Sequence, residues 1–399
     1  VKGFEFFRMP QTIIYGRQSF EKVGAEAALC GKKALIISDK VMSRLGSVNQ
    51  CCQYLHDNGV ASAVYLGVDS EPTDQYVEES LELFEKESCD LIISLGGGSC
   101  IDTGKAIAVL ATNGGYIGEY MGGRKIADKA AIPHIAIPTT AGTGSEATDA
   151  TVITNTNDDV KMMIKQPNFM PLVAIGDPLL TVSSPPHITA ATGVDALSHA
   201  VEAYLSKRSH PMTDTMALSA MRLIVENIEN AYDDGDNIDA REKMSLGALQ
   251  AGIAFSNSSV CLVHGMSRPI GALFHVPHGY SNAMLLPAVL EFSKEACMER
   301  LADLGRIFKT EYKNLSIERA ALVAVESVKA LCQKLNIPNL EGWGIEEEKF
   351  NLSVSKMARD AIDSGSPANN PRVPTKQELE ELYHTCYHYK FATEDKVQG

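Results

Sequence analysis

The chain has 399 residues, 45% apolar and 22% charged, which is too long for one average domain and is expected to bury two sizeable cores. A formal net charge of −14 argues against a nucleic-acid-binding surface, which needs clustered Lys and Arg. No stretch approaches the roughly eighteen uninterrupted apolar residues of a membrane span, so no membrane partner is expected.

Along the chain, Lys33-Ala-Leu-Ile-Ile-Ser38, Ser62-Ala-Val-Tyr-Leu66, Asp90-Leu-Ile-Ile-Ser-Leu95 and His134-Ile-Ala-Ile-Pro138 read as buried strands. Gln75 to Glu87 and Asp102 to Thr112 read as helices between them. Such alternation predicts a parallel sheet with helices on its faces. Thr151-Val-Ile-Thr-Asn and Leu172-Val-Ala-Ile-Gly-Asp177 read as later strands, with a hairpin around the polar Asn155–Val160. Two serines and two prolines at 183–186 then interrupt the chain, and we place the domain boundary there, as 1–184 and 185–399. Beyond it the pattern is helical: Thr213 to Tyr232, Asp239 to Ala254, Lys294 to Phe308, Ser316 to Leu335 and Lys376 to Tyr389, followed by a polar tail from Ala392. The expectation is an α/β N-terminal domain with a parallel sheet and an all-helical C-terminal domain.

Strand Asp90–Leu95 runs directly into Gly96-Gly-Gly-Ser99, followed by a helix carrying Asp102 and Lys105. Glycines at such a junction let the backbone approach a ligand, and the helix N-terminus offers N–H groups to an anion such as a pyrophosphate; a tight structural turn is the plainer alternative. The run is neither G-x-G-x-x-G nor a P-loop. Asp39, after strand 33–38, is placed to accept from an adenosine ribose and to repel a 2′-phosphate, which favours NAD over NADP, although Asp there is often only a helix cap. Pro138-Thr-Thr-Ala-Gly-Thr-Gly-Ser-Glu146 brings hydroxyls, Thr139, Thr140 and Thr143 among them, behind another strand. Lys161 reads equally as a ribose or phosphate contact and as a surface lysine.

Asp195 and His199, in Gly193-Val-Asp-Ala-Leu-Ser-His-Ala-Val-Glu202, stand at i,i+4 and share one helix face. His264 and His278, each followed by glycine, flank a run containing Pro269, Gly271 and Pro277. On one straight helix they would stand about 21 Å apart, so the segment is expected to turn and bring them together. One carboxylate and three imidazoles suit a borderline divalent ion such as Fe(II) or Zn(II). Taken singly, the Asp–His pair reads as helix-stabilising and His264 as a satisfied core histidine. Nine scattered cysteines with no C-x-x-C fit reduced thiols in a cytoplasm, and the first residues show no signal-peptide pattern.

These residues resemble the iron-containing, or group III metal-dependent, alcohol dehydrogenases. The resemblance runs from Phe7-Arg-Met-Pro10 and Ile14-Tyr-Gly16 to Asn370-Pro-Arg372. It is most specific in Gly96 to Lys105, Pro138 to Glu146 and His264 to Gly279. It implies metal ligands at Asp195, His199, His264 and His278, and NAD contacts at Asp39, Gly97, Gly98, Ser99, Thr139, Thr140, Thr148, Lys161 and Leu180; our reading of the loops adds Asp102 and Thr143. The architecture implied is that of the dehydroquinate synthases, a dinucleotide domain plus a helical metal domain with the site in the cleft between them, and the assembly a homodimer or larger. Three departures stand out. Arg268 occupies a position where many members carry a proton-relay histidine, Glu71 one where relatives often carry Asn, and His275 adds an imidazole that is either structural or close to the site.

The activity implied is NAD- and metal-dependent hydride transfer between a small primary alcohol or diol and its aldehyde, with Phe255 as a wall of the substrate pocket. Reduction of a small anionic aldehyde such as sulfoacetaldehyde, and cyclisation of the dehydroquinate-synthase type, are the alternatives.

Overall fold

Short runs of Ile, Leu, Val and Ala form the strands of one parallel sheet in a computed structural model that describes residues 3–158, 160–309 and 314–391. The strands are β1 (Thr12–Tyr15), β2 (Lys33–Ile37), β3 (Ala61–Tyr65), β4 (Leu91–Gly96), β5 (His134–Pro138) and, after a separate hairpin, β8 (Val173–Gly176). They lie in the order β1-β8-β5-β4-β2-β3, all parallel. β4 and β5 are buried along their whole length, as expected of strands covered on both faces. Alternate side chains feed two cores: Leu35 and Ile37 join Ile92 on one face, while Ala34 and Ile36 join Leu91, Ile93 and Ile135 on the other. Helices α1 (Val23–Cys30), α2 (Lys40–Arg44), α3 (Ser47–Asp57), α4 (Asp74–Lys86) and α5 (Gly98–Asn113) complete this part.

The hairpin is antiparallel, β6 (Ala150–Asn155) with β7 (Val160–Lys165). Its second arm, Val160-Lys-Met-Met-Ile-Lys165, was not among the expected strands, and Leu172–Asp177 supplies β8 of the main sheet instead. Asp159 and the polar tail from Ala392 lie outside the described residues.

Contacts divide the chain into two compact units, one of Phe6–Ser184 and one running from Pro185 onward together with the residues before Phe6. Among the described residues the second unit is all helical: α6 (Pro186–Leu205), α7 (Pro211–Asp233), α8 (Ile238–Ser258), α9 (Leu262–Phe274), α10 (His278–Ser293), α11 (Met298–Phe308), α12 (Ile317–Lys334), α13 (Glu347–Asp363) and α14 (Lys376–Tyr387). α6 opens with Pro186, at the position where a missing N–H costs no bond, and is buried almost throughout. No single described helix is long and apolar enough to cross a membrane.

The expected turn between His264 and His278 is there, but Pro269 and Gly271 do not make it; both sit inside α9. It falls at His275, in the left-handed region at φ 53°, and at Pro277, which caps α10. α9 is largely buried, and packing of a buried helix overrides weak propensity.

Candidate functional site

In the second unit three helices deliver four ligand-type side chains to one place. Asp195 and His199 lie one turn apart on α6, His264 is the third residue of α9, and His278 is the first of α10. One donor atom from each lies within 4.8 Å of every other. From Asp195 Oδ1 the distances are 3.8 Å to His199 Nδ1, 3.8 Å to His264 Nε2 and 3.9 Å to His278 Nε2. Gly279 makes the approach of α10 feasible, because a Cβ there would stand 2.9 Å from the Ala191 carbonyl of α6. His278 alone keeps notable exposure, 30% of its side chain against 2–5% for the other three, so the cluster is open on its side.

Two further residues belong to this site and were not singled out in the sequence. Glu202 is buried, and its carboxylate accepts from His264 Nδ1 at 2.6 Å, Cys261 N at 2.9 Å and Val263 N at 2.6 Å. It thus caps the first turn of α9, whose N–H groups lack intrahelical partners, and orients a ligand-type histidine from behind. Burial pushes its carboxyl up to about 7, opposed by those hydrogen bonds. Its signal was spacing: Asp195, His199 and Glu202 fall at i, i+4 and i+7, one face of α6. Asn282 lies one turn after His278, and its Nδ2 donates to Asp195 Oδ1 at 2.6 Å and meets His264 Nε2 at 3.0 Å and His278 Nε2 at 3.1 Å.

Ligand atoms from a carboxylate and three imidazoles therefore converge around a single point. An ion bonded at about 2.0–2.2 Å requires ligand atoms within roughly 4.4 Å of one another, and the three Asp195 separations already meet that. The donor set fits one borderline divalent ion. Burial holds His264 well below its usual pKa, with His199 and His278 adding to the effect, so its ring is neutral and Nε2 keeps a lone pair. Burial acts to raise Asp195, but the three histidines outweigh it and its net shift is downward.

Phe255, on α8, stacks on His199 with ring centroids 4.3 Å apart and planes 17° from parallel. Arg268 lies one turn after His264 and donates from Nη1 to Ser366 Oγ at 2.9 Å. His275 is exposed and serves as the left-handed C-cap of α9.

In the first unit, the crossovers that leave the adjacent strands β2 and β4 run toward opposite edges of the sheet, so the C-terminal ends of these strands define a switch point where ligands of α/β folds collect. Asp39 follows β2, and Gly97 caps α5 directly after β4. Gly97, Gly98 and Ser99 are half exposed. A Cβ on Gly98 would stand 2.8 Å from Thr143 Cγ2, and one on Gly97 would stand 3.8 Å from Thr140 Oγ1. The backbone is thus left bare at the mouth of a sixteen-residue helix, a cradle suited to a pyrophosphate. Asp39 caps α2 through Oδ1, which accepts from Val41 N and Met42 N. Thr139 N bonds Gly96 O at 3.0 Å, and Leu180 packs on the core beside β8.

Asp102 and Thr148 are placed differently. Asp102 accepts from Ser145 Oγ and Val152 N, while Thr148 Oγ1 accepts from the buried Lys105 Nζ at 2.7 Å. Their side chains brace the loop from inside. Lys161 Nζ pairs with Glu71 at 3.1 Å, so two residues noted separately in the sequence are partners.

The profile of the iron-containing alcohol dehydrogenases matches residues 10–178, and that of the C-terminal part of the Fe-containing alcohol dehydrogenase family matches 189–387. The chain is 37% identical over 385 residues to the 1,3-propanediol dehydrogenase of Klebsiella pneumoniae, covering 96% of this chain and 98% of that one. It is 36% identical over 378 residues to the NAD-dependent methanol dehydrogenase of Bacillus methanolicus, covering 94% and 98%. A crystal structure of 1,3-propanediol oxidoreductase superposes with a TM-score of 0.92 at 37% identity, covering 96% and 100%. The chain belongs to the iron-containing alcohol dehydrogenase family, and is an oxidoreductase acting on alcohols and aldehydes.

Proposed function

We propose that this protein interconverts a small primary alcohol or diol and its aldehyde with NAD, using one divalent ion, Fe(II) or Zn(II), held by Asp195, His199, His264 and His278. The observation that carries the reading is the convergence of four donor atoms within 4.8 Å, with Glu202 fixing one of them. The ion supplies Lewis acidity at the substrate oxygen. Glu202 holds the Nδ1 proton of His264, so that Nε2 faces the donor cluster. Phe255 stacks on His199 and offers an apolar wall. When bound, the nicotinamide would accept the hydride of the alcohol carbon in the oxidative direction, with the hydroxyl proton released to water; Arg268 is a guanidinium and does not act as a base at neutral pH.

The dinucleotide is assigned to Asp39, Gly97, Gly98, Ser99, Thr139, Thr140, Thr143, Lys161 and Leu180, with Asp102 and Thr148 supporting the loop. The Asp39 carboxylate favours NAD over NADP, because it repels a 2′-phosphate. All nine cysteines are free thiols, consistent with a reducing cytoplasm, and a homodimer or larger assembly follows the family expectation. The test is NADH absorbance with a panel of alcohols and aldehydes on protein reconstituted separately with Fe(II), Zn(II) and Mn(II). Metal-dependent turnover of short alcohols is expected. Conversion of a substrate with no net change in NADH would instead favour a cyclase.

A further inference from the structure

Arg268 sits one helical turn beyond His264 and therefore on the same face of α9. Its only hydrogen bond among the described residues runs from Nη1 to the buried Ser366 Oγ, at 2.9 Å. No carboxylate among the described residues lies within ion-pair distance of it. A half-buried guanidinium carries five N–H donors in a rigid fork, so most of this fork is uncommitted. Burial draws its pKa down to about 10, with the Glu202 charge opposing, so it stays cationic at neutral pH.

We propose that Arg268 is a substrate-recognition residue, and that the substrate is a short-chain aldehyde, or its alcohol, bearing a terminal oxyanion: carboxylate, sulfonate or phosphonate. This rests on the function proposed above and names its substrate class. Side chains one turn apart on a helix stand about 6 Å apart at Cβ, so a carbonyl held at the donor cluster and an oxyanion held at Arg268 are joined by a chain of a few carbons. A guanidinium binds such groups through paired N–H donors. The oxyanion is a handle and takes no part in the redox step: hydride passes from NADH to the carbonyl carbon, and a proton from water reaches the oxygen.

The test compares kcat/KM for sulfoacetaldehyde, phosphonoacetaldehyde and 3-oxopropanoate with that for propanal, on metal-loaded wild type, Arg268→Lys and Arg268→Gln. Calorimetry alongside measures binding of 2-hydroxyethanesulfonate, 3-hydroxypropanoate and 1-propanol to the protein with NAD. Wild type is expected to prefer at least one oxyanion over propanal, and Arg268→Gln to cut that preference by roughly 10- to 150-fold. Arg268→Lys should fall between them, and which oxyanion is preferred identifies the head group. Equal ratios in wild type and both variants would overturn the proposal, as would an equal loss of NADH affinity without substrate, which would assign Arg268 to the cofactor. If no aldehyde is reduced, the proposed function fails, while selective calorimetric binding of the hydroxy acids still decides the role of Arg268.

Discussion

The Glu202 carboxylate lies 2.6 Å from His264 Nδ1, and the same carboxylate caps the first turn of the helix that carries His264. One side chain thereby ties the tautomer of a ligand-type imidazole to the anchoring of its backbone. With Nδ1 donating, Nε2 is left with its lone pair free to accept, met by Asn282 Nδ2 at 3.0 Å, which is the state a metal requires.

Replacement by Gln tests this directly. An amide can accept from His264 and Cys261 with its oxygen, but its NH₂ then opposes the N–H of Val263. Glu202→Gln is expected to weaken metal binding about 10- to 100-fold, read by chelator competition. Unfolding of the metal-free protein reports any general loss of stability separately. Unchanged affinity, or a loss matched by collapse of the metal-free fold, would remove Glu202 from the metal-positioning role.

Asp195 is the only carboxylate in the four-residue donor set, and its Oδ1 is common to three of the close approaches. Asp195→Ala should leave no stoichiometric metal by elemental analysis and no turnover, while dinucleotide binding, built on the other unit, persists in calorimetry. Full activity in a metal-free preparation of this variant would refute the centre.

The glycine cradle makes its own prediction. At Gly98 an added Cβ meets Thr143 Cγ2 at 2.8 Å and Oγ1 at 3.1 Å, and overpacking of this kind costs about 1–3 kcal/mol. Gly98→Ala should therefore weaken NADH binding roughly 5- to 150-fold, and Thr143→Ala in the same chain should restore part of it. Fluorescence titration of NADH on both variants checks this; undiminished affinity in Gly98→Ala would show that the loop has room to yield.

Much of this architecture was legible because the chemistry is local. Strands buried on both faces show as continuous Ile/Leu/Val runs, and Asp195 and His199 announce a shared helix face through their spacing. What could not be read depends on tertiary partners. Pro269 looks like a breaker yet sits inside α9, whose buried faces hold it helical. Met162 and Met163 carry little strand signal, and β7 forms because β6 pairs with it. Glu202 and Asn282 had the right spacing, but the role of each lies in partners distant in sequence, at Cys261, Val263 and His264 for one and at Asp195 and His264 for the other. The Glu71–Lys161 pair spans the hairpin and the loop after β3 in the same way.

His134 offers a test of the first unit that is independent of any ligand. It lies on β5, is 3% exposed, and meets Ser94 Oγ through Nε2 at 2.8 Å. Burial, and secondarily the Lys105 charge, lowers its pKa to about 3. In the unfolded chain it titrates near 6.5. Between those values the unfolded chain binds a proton that the folded one excludes, so stability from this residue is fully present above about pH 6.5 and falls as pH drops toward 3. The slope is about 1.4 kcal/mol per pH unit in that window. Urea denaturation at pH 5, 6, 7 and 8 should thus show a shallower acid-side slope in His134→Asn than in wild type, by one proton, whatever the variant's absolute stability. Identical slopes, or an NMR titration of His134 near 6.5 in the folded protein, would show that this imidazole protonates without disturbing β5.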